Sequence, residues 1–194
     1  MRVRYVAAPW CSPVITEEAA SLVEVLSDDV WQEASVRFFA ERDAKIRSSQ
    51  RAPKGMQKTL NTVIDEKLTR NGWIGDSGYY VKGSTWLRVT FRHQMSLGSD
   101  FLDALKVCKK EGMDLAIILA ANQDTLRVIT PNDCMALVSF EKLQREVMSL
   151  DGALDIPLLI GCLTPMTMPS KAISDELRRY RPRDVTLPSE QRGR

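Results

Sequence analysis

The sequence has few of the residues that usually mark metal centres, disulfide frameworks and membrane spans. Its 194 residues include one histidine, His93, and four cysteines. The cysteines lie far apart and form no Cys-x-x-Cys pair, whereas zinc sites usually take their ligands in close local pairs. Dispersed cysteines of this kind indicate reduced thiols rather than a zinc site or a disulfide framework; the four are Cys11, Cys108, Cys134 and Cys162.

Long apolar runs are also missing. No segment approaches the ~20 consecutive apolar residues that a membrane-spanning helix needs, and the first residues lack the apolar stretch of a signal peptide. We therefore expect a cytoplasmic protein with no membrane partner. The chain has no glycine-rich phosphate loop of the Gly-x-Gly-x-x-Gly or Walker type and no nucleophile elbow, so neither nucleotide binding by such a loop nor serine-hydrolase chemistry is indicated.

What is present is a globular composition with an uneven distribution of charge. Hydrophobic residues make up 44% of the chain and charged residues 27%, which suits one α/β domain of this length. Residues 17–33 carry only acidic charges, whereas residues 42–58 are strongly basic. This asymmetry favours an anionic partner, with nucleic acid as the first candidate, although a solvated basic face is the alternative. The basic segment contains Arg42, Lys45, Arg47, Arg51, Lys54 and Lys58.

Hydrophobic periodicity predicts alternating helices and strands. We expect one domain over residues 1–168, with an N-terminal helical part at 16–70 and a core at 71–163, followed by a basic, proline-containing tail at 169–194. The predicted strands are 3–8, 79–81, 86–91, 115–121 and 156–163. The first predicted helix begins near residue 16. The others span 28–48, 56–70, 99–111 and 138–150, with a short helix at 174–180 in the tail.

The strand at 86–91 has two different faces. Leu87, Val89 and Phe91 alternate with Arg88 and Thr90, and side chains alternate between the two faces of a strand. The apolar face is expected to pack on a core. The other face, which Arg92 extends, is expected to line a groove or meet solvent.

The order of these segments resembles that of restriction endonucleases of the BglII/BstYI kind. In those proteins a helix carries an asparagine near its start and ends at Gly-Trp or Asn-Trp. The resemblance covers residues 56–163 and implies an α/β, restriction-endonuclease-like core, a mixed central sheet flanked by helices. It also implies a DNA partner and a homodimer. The segments that carry it are Thr59-Leu60-Asn61, Asn71-Gly72-Trp73, the strand Trp86-Leu87-Arg88-Val89-Thr90-Phe91, the helix 99–111, the run 113–119 and the run 156–161.

Such enzymes belong to the PD-(D/E)xK nuclease superfamily, whose carboxylates hold Mg²⁺ against the scissile phosphate. The resemblance places the corresponding positions at Tyr79, Arg88 and Thr90. These side chains cannot make that site, because a permanently charged guanidinium repels a cation. A migrated site is the alternative, drawn from Asp76, Asp100, Asp103 and Lys106, and in that case Mg²⁺ would be the cofactor.

The leading hypothesis is therefore a nucleic-acid-binding pseudoenzyme with no metal cofactor. Two alternatives remain open: an active Mg²⁺-dependent DNA endonuclease with the migrated site, and a non-catalytic protein-interaction subunit of a defence or DNA-processing complex. The latter would use the acidic segment 17–33 and an exposed tryptophan, Trp10 or Trp31. The predicted nucleic-acid contacts are Lys45, Arg47, Arg51, Lys54, Lys58, Arg88, Thr90, Arg92 and His93.

Overall fold

A computed structural model describes residues 1–150 and 152–165. Within these residues there are six strands and six helices: three helices follow the first strand, three strands come next, and helices separate the last strands. The strands are β1 (Arg2–Ala7), β2 (Ile74–Asp76), β3 (Tyr79–Lys82), β4 (Thr85–Thr90), β5 (Leu115–Ala121) and β6 (Leu158–Thr164). The helices are α1 (Glu17–Val25), α2 (Asp28–Arg47), α3 (Gln57–Arg70), α4 (Leu97–Lys110), α5 (Gln123–Ile129) and α6 (Phe140–Ser149).

The six strands form one mixed sheet in the order β1-β6-β5-β4-β3-β2. Strands β4, β5 and β6 are parallel neighbours, whereas β1, β3 and β2 pair antiparallel to the strands beside them. All seven residues of β5 are buried, as expected for a central strand covered on both faces. The predicted α/β fold with a mixed central sheet and flanking helices is confirmed.

The two faces of the sheet pack against different helices. One face, here called the α3 face, carries Leu87 and Ile117 and packs against α1, α2, α3 and α5. The opposite face, here called the α4 face, carries Trp86 and Ile118 and packs against α4 and α6. This division follows from the alternation of side chains along each strand, and it decides which residues of β4 can meet a ligand.

Local signals explain where several helices begin and end. The hydroxyl of Thr16 accepts a hydrogen bond from the backbone N–H of Ala19 and caps α1, and Ser139 caps α6 in the same way. Both are preferred N-cap residues. After α3 the chain turns at Gly72, whose φ of 79° lies in the left-handed region, so the predicted Asn71-Gly72 stop is confirmed.

Three short elements were not predicted: β2, α5 and a 3-10 turn at Gln94–Ser96. The protein-interaction alternative, which would use an exposed Trp31, is wrong for this residue, because α2 turns the side chain into the core and leaves it 8% exposed. Trp10 is half-buried and donates a hydrogen bond from Nε1 to the carbonyl of Ile156 at 3.1 Å. The tail 169–194, including the predicted helix at 174–180, lies outside the described residues.

Among the described helices, none combines the length and the apolar character that crossing a bilayer requires.

Candidate nucleic-acid interface

A cleft of about 560 Å³ opens between α3 and the strands β3 and β4. Its size falls within the range of ordinary binding sites. We call it the α3 cleft, since one side of that helix forms its wall. The cleft is lined by Gln57, Lys58, Asn61, Thr62, Ile64, Asp65, Ser77, Gly78, Tyr80, Val89, Phe91 and Arg92.

The wall from α3 is polar because of the spacing of its residues. Asn61 and Thr62 follow Lys58 by three and four positions and precede Asp65 by four and three, and residues at these spacings share one face of a helix. All four line the cleft, while Leu60 and Val63 turn into the core.

Asp65 is the one carboxylate among the described residues lining the cleft, and it already has a partner. The phenol of Tyr80 donates a hydrogen bond to Asp65 Oδ1 at 3.0 Å. Burial, together with this hydrogen bond and the charge of Asp65, raises the pKa of Tyr80, because each disfavours the phenolate. Tyr80 therefore stays protonated and continues to donate to Asp65 across the physiological pH range.

Strand β4 presents its apolar face, not its polar face, to this cleft. Val89 and Phe91 line the cleft, whereas Arg88 is 8% exposed and Thr90 is fully buried. The prediction that Arg88 and Thr90 line a groove or meet solvent is therefore wrong. The predicted alternation is correct, but α4 covers the polar face, and a buried carboxylate of that helix compensates the charge of Arg88.

That carboxylate belongs to Asp100, in the first turn of α4 and inaccessible to solvent. Its Oδ1 accepts hydrogen bonds from Arg88 Nε and from Arg92 Nη1, both at 3.0 Å. Its Oδ2 is buried and has no hydrogen-bond partner among the residues that the structure describes. The three residues, here called the Asp100 cluster, carry one formal negative and two positive charges. Arg92 belongs both to this cluster and to the lining of the α3 cleft.

Two of the other predicted contacts line the cleft, and the rest do not belong to its lining. Lys58 and Arg92 line the α3 cleft, while Arg47, Arg51 and Lys54 are exposed before the start of α3. Lys45 forms an ion pair with Glu41 at 2.7 Å. His93 is exposed, and its Nδ1 accepts a hydrogen bond from the backbone N–H of Met95 at 3.3 Å. The structure thus brings together Lys58 and Arg92 from two distant segments.

The candidates for a migrated metal site occupy different environments. Asp76 is exposed on the edge strand β2, and Asp100 is buried against two guanidinium groups. Asp103 is half-buried and Lys106 exposed, both on α4. Within residues 1–150 and 152–165, no three His, Cys, Asp or Glu side chains are grouped closely enough to hold a metal ion.

The positions that the resemblance marks do not fit Mg²⁺ on either face of the sheet. Tyr79 and Arg88 are direct partners on the antiparallel strands β3 and β4, so the two positions are adjacent as the resemblance implies. Yet neither strand contains an aspartate or a glutamate, and Mg²⁺ requires oxygen ligands, of which carboxylates are the usual protein source. On the α3 face, Val89 and Phe91 line the cleft, and their apolar side chains cannot bind a metal ion.

Sequence reasoning missed the contribution of α3 to the site, apart from Lys58. Asn61 entered only through the resemblance, and Thr62 and Asp65 were not predicted as site residues, although their spacing with Lys58 makes a continuous polar face. That spacing was a detectable signal. Gln57 was also missed: its side-chain amide donates to the carbonyl of Phe91 at 3.1 Å and accepts from the hydroxyl of Thr130 at 3.0 Å, which ties α3 to the end of β4.

The mixed six-stranded sheet, with helices on both faces and a cleft beside β4, is a restriction-endonuclease-like fold, as its similarity to a solved structure shows. The structure is similar to that of restriction endonuclease BglII, which was crystallised in complex with a DNA 16-mer. The TM-score is 0.50 and the sequence identity 16%, over 84% of this chain and 78% of that chain. No protein-family model matches the sequence, and a comparison with curated proteins gives no match. The likeness is one of fold.

Proposed function

We propose that this protein binds DNA at the α3 cleft, through phosphate contacts from Lys58 and Arg92, and does not cleave it by a metal-dependent mechanism. The observation that carries the proposal is the convergence of these two cations, from α3 and from the end of β4, on one cleft. Phosphate contacts of this kind position a protein on DNA without reading its sequence. The fold it shares with BglII, a protein solved with DNA bound, agrees with this proposal.

Exposed cations that precede α3 along the chain would add further phosphate contacts. Arg47, Arg51 and Lys54 precede α3 and are exposed, so they are the candidates for further contacts to a DNA backbone that reaches Lys58. Each phosphate neutralised by a lysine or arginine releases condensed counterions. Binding by this surface is therefore expected to weaken steeply as salt concentration rises.

The proposal that cleavage is absent rests on the lack of suitable carboxylate ligands for Mg²⁺ on strands β3 and β4. Phosphodiester hydrolysis of the superfamily type needs carboxylates that hold Mg²⁺ beside the phosphate. Strands β3 and β4 contain no such group, and Asp100 is already bonded to Arg88 and Arg92. Incubation of plasmid DNA with the protein and Mg²⁺ or Mn²⁺ is expected to give no nicked or linear product. Cleavage that disappears in Asp76→Ala would contradict this part and support the endonuclease alternative.

Charge reversal in the cleft is expected to weaken DNA binding strongly. In a double variant, Lys58→Glu with Arg92→Glu, two phosphate contacts are lost and two repulsive charges are introduced. The slope of log K against log salt, which is negative, should become shallower by about 2. Affinity at low salt should fall at least tenfold. The measurement is a fluorescence-anisotropy titration of a short mixed-sequence duplex at several salt concentrations.

The matched control reverses two exposed cations on helices of the opposite face, Lys110→Glu with Arg145→Glu. This variant has the same net charge as the cleft variant. Equal loss of binding in the two variants would show that only total charge matters. Absence of salt-dependent binding by the wild-type protein would reject the proposed function itself.

The homodimer implied by the resemblance is also part of the proposal. Two copies would present two α3 clefts to one duplex, and phosphate contacts from both would add to the affinity. Sedimentation of the full chain with and without duplex DNA measures the mass of each species. A monomer under both conditions would remove the dimer from the proposal and leave the cleft intact.

A further inference from the structure

We propose that Asp100 is a positioning residue that presents the Arg92 guanidinium to a DNA phosphate, with Arg88 as its buried counter-cation. This inference rests on the proposed function, and it assigns roles to two residues that need not touch DNA. The ligand recognised is the phosphodiester group, through its non-bridging oxygens.

Arg92 is held at one edge and accessible at the other. Its Nη1 donates to Asp100 Oδ1 at 3.0 Å, while 45% of its side chain is exposed and the residue lines the α3 cleft. No other acceptor among the described residues is bonded to this guanidinium. Since a guanidinium carries five N–H donors in a rigid plane, a bond on one edge fixes the plane and leaves donors for a second, bidentate partner.

The backbone beneath Arg92 is held as well. The carbonyl of Phe91 accepts from Gln57 Nε2 at 3.1 Å, and the carbonyl of Arg92 accepts from the N–H of Val138 at 2.9 Å. The residue thus leaves β4 between two anchored carbonyl groups. A side chain that is ordered before the ligand arrives loses less entropy on binding, so these anchors favour the contact.

Arg88 explains how Asp100 can hold Arg92 without cancelling its charge. A single buried aspartate beside a single arginine would give a neutral pair with little attraction for an anion. Here the same Oδ1 also accepts from Arg88 Nε, whose side chain is only 10% exposed. The cluster therefore keeps one net positive charge, and Arg92 is the member that reaches the cleft.

The arrangement also accounts for an arginine where the resemblance leads one to expect an acid. An acid at position 88 would lie against Asp100, and two buried carboxylates in contact would repel. Arginine at this position satisfies Asp100 instead. Arg88, at the position where the resemblance implies a metal ligand, thus supports the contact between Arg92 and phosphate through its bond to Asp100.

The experiment compares the same charge-conserving substitution, arginine to lysine, at two positions. Arg92→Lys removes the fork that can bond Asp100 and phosphate together; Arg145→Lys makes this change at an exposed position on α6, on the opposite face of the sheet. We expect Arg92→Lys to weaken binding of a short duplex about fivefold to tenfold with an unchanged salt slope, and Arg145→Lys to leave the affinity unchanged. If Arg92→Lys binds DNA as tightly as the wild type, the inference about Asp100 is overturned. The proposed function would still stand in that case, because it depends only on DNA binding by the wild-type protein.

A second variant tests Asp100 directly through the sign of its effect. Asp100→Asn keeps the shape of the side chain and adds one net positive charge, so a purely electrostatic role predicts tighter DNA binding. Positioning predicts weaker binding, because the neutral amide orients Arg92 less firmly. Circular dichroism checks that the variant is folded, and if it is not, Arg92→Lys decides. Tighter binding by folded Asp100→Asn would overturn the inference; a wild type that does not bind DNA would overturn both proposals.

Discussion

Asp100→Ala is expected to lower the free energy of unfolding by about 3–5 kcal/mol, as measured by urea denaturation. The substitution removes the carboxylate that neutralises Arg88 in the interior. A buried pair that loses one partner leaves an uncompensated charge, and the penalty for that charge exceeds the net stability of the pair. Because a domain of this size has a total stability of roughly 5–15 kcal/mol, the variant should be barely stable.

Two controls distinguish this mechanism from general damage to α4. Asp103→Ala, one turn along the same helix and half-buried, should change stability by no more than about 1 kcal/mol. The double variant Arg88→Met with Asp100→Leu removes both buried charges and should recover much of the loss. If Asp100→Ala is as stable as Asp103→Ala, the ion pair is not held in the interior as described.

The instability of Asp100→Ala affects how an activity experiment is read. If this substitution abolished DNA binding or a nuclease activity, unfolding alone could explain the result, since the carboxylate lies inside the protein. Asp76→Ala avoids this difficulty because Asp76 is exposed on the edge strand. Asp76 is therefore the better position at which to test a metal-dependent alternative.

Much of the fold could be predicted from periodicity. The predicted bounds of β5 match those observed, Leu115–Ala121, and α3 begins within one residue of its predicted start. Both segments have strong and unambiguous patterns. By contrast, β2 is three residues long and carries an exposed Ile74 beside Gly75, so it shows no alternation. It forms because it pairs with β3 across the two-residue turn Ser77-Gly78, whose residues both have the positive φ that such hairpin turns require.

The candidate site was only half predictable, and β4 shows why. Alternation correctly separated Arg88 from Val89, but a strand pattern does not reveal which face a helix covers. The usual rule that charged residues are exposed assigned the wrong face, because α4 places Asp100 on its buried side against Arg88. A buried charge pair formed by residues twelve positions apart depends on packing between elements. The α3 wall, in contrast, could have been found from its polar helical spacing.

Gly78→Ala is expected to reduce stability by about 2–5 kcal/mol and to disturb the α3 cleft. Gly78 has a φ of 84°, where an L-residue is strained by ~1–2 kcal/mol. A Cβ at this position would lie 2.3 Å from the carbonyl oxygen of Val89, and relieving such a contact adds a penalty of ~1–3 kcal/mol. The carbonyl of Gly78 accepts from the N–H of Val89 at 2.8 Å, so the shift would also strain the bond that continues the β3–β4 pairing.

Gly112→Ala is the matched control for this substitution, because it isolates the steric contact from the backbone strain. Gly112 has a similar φ of 72°, but a Cβ there meets nothing within 4 Å. It should lose only the ~1–2 kcal/mol of conformational strain and leave DNA binding unchanged, whereas Gly78→Ala should lose more stability and weaken binding. Urea denaturation and the anisotropy titration measure the two effects on the same preparations. Equal destabilisation of the two variants would show that the Val89 carbonyl can shift at little energetic cost. The backbone that forms this wall of the cleft would then be more flexible than its hydrogen bonds imply.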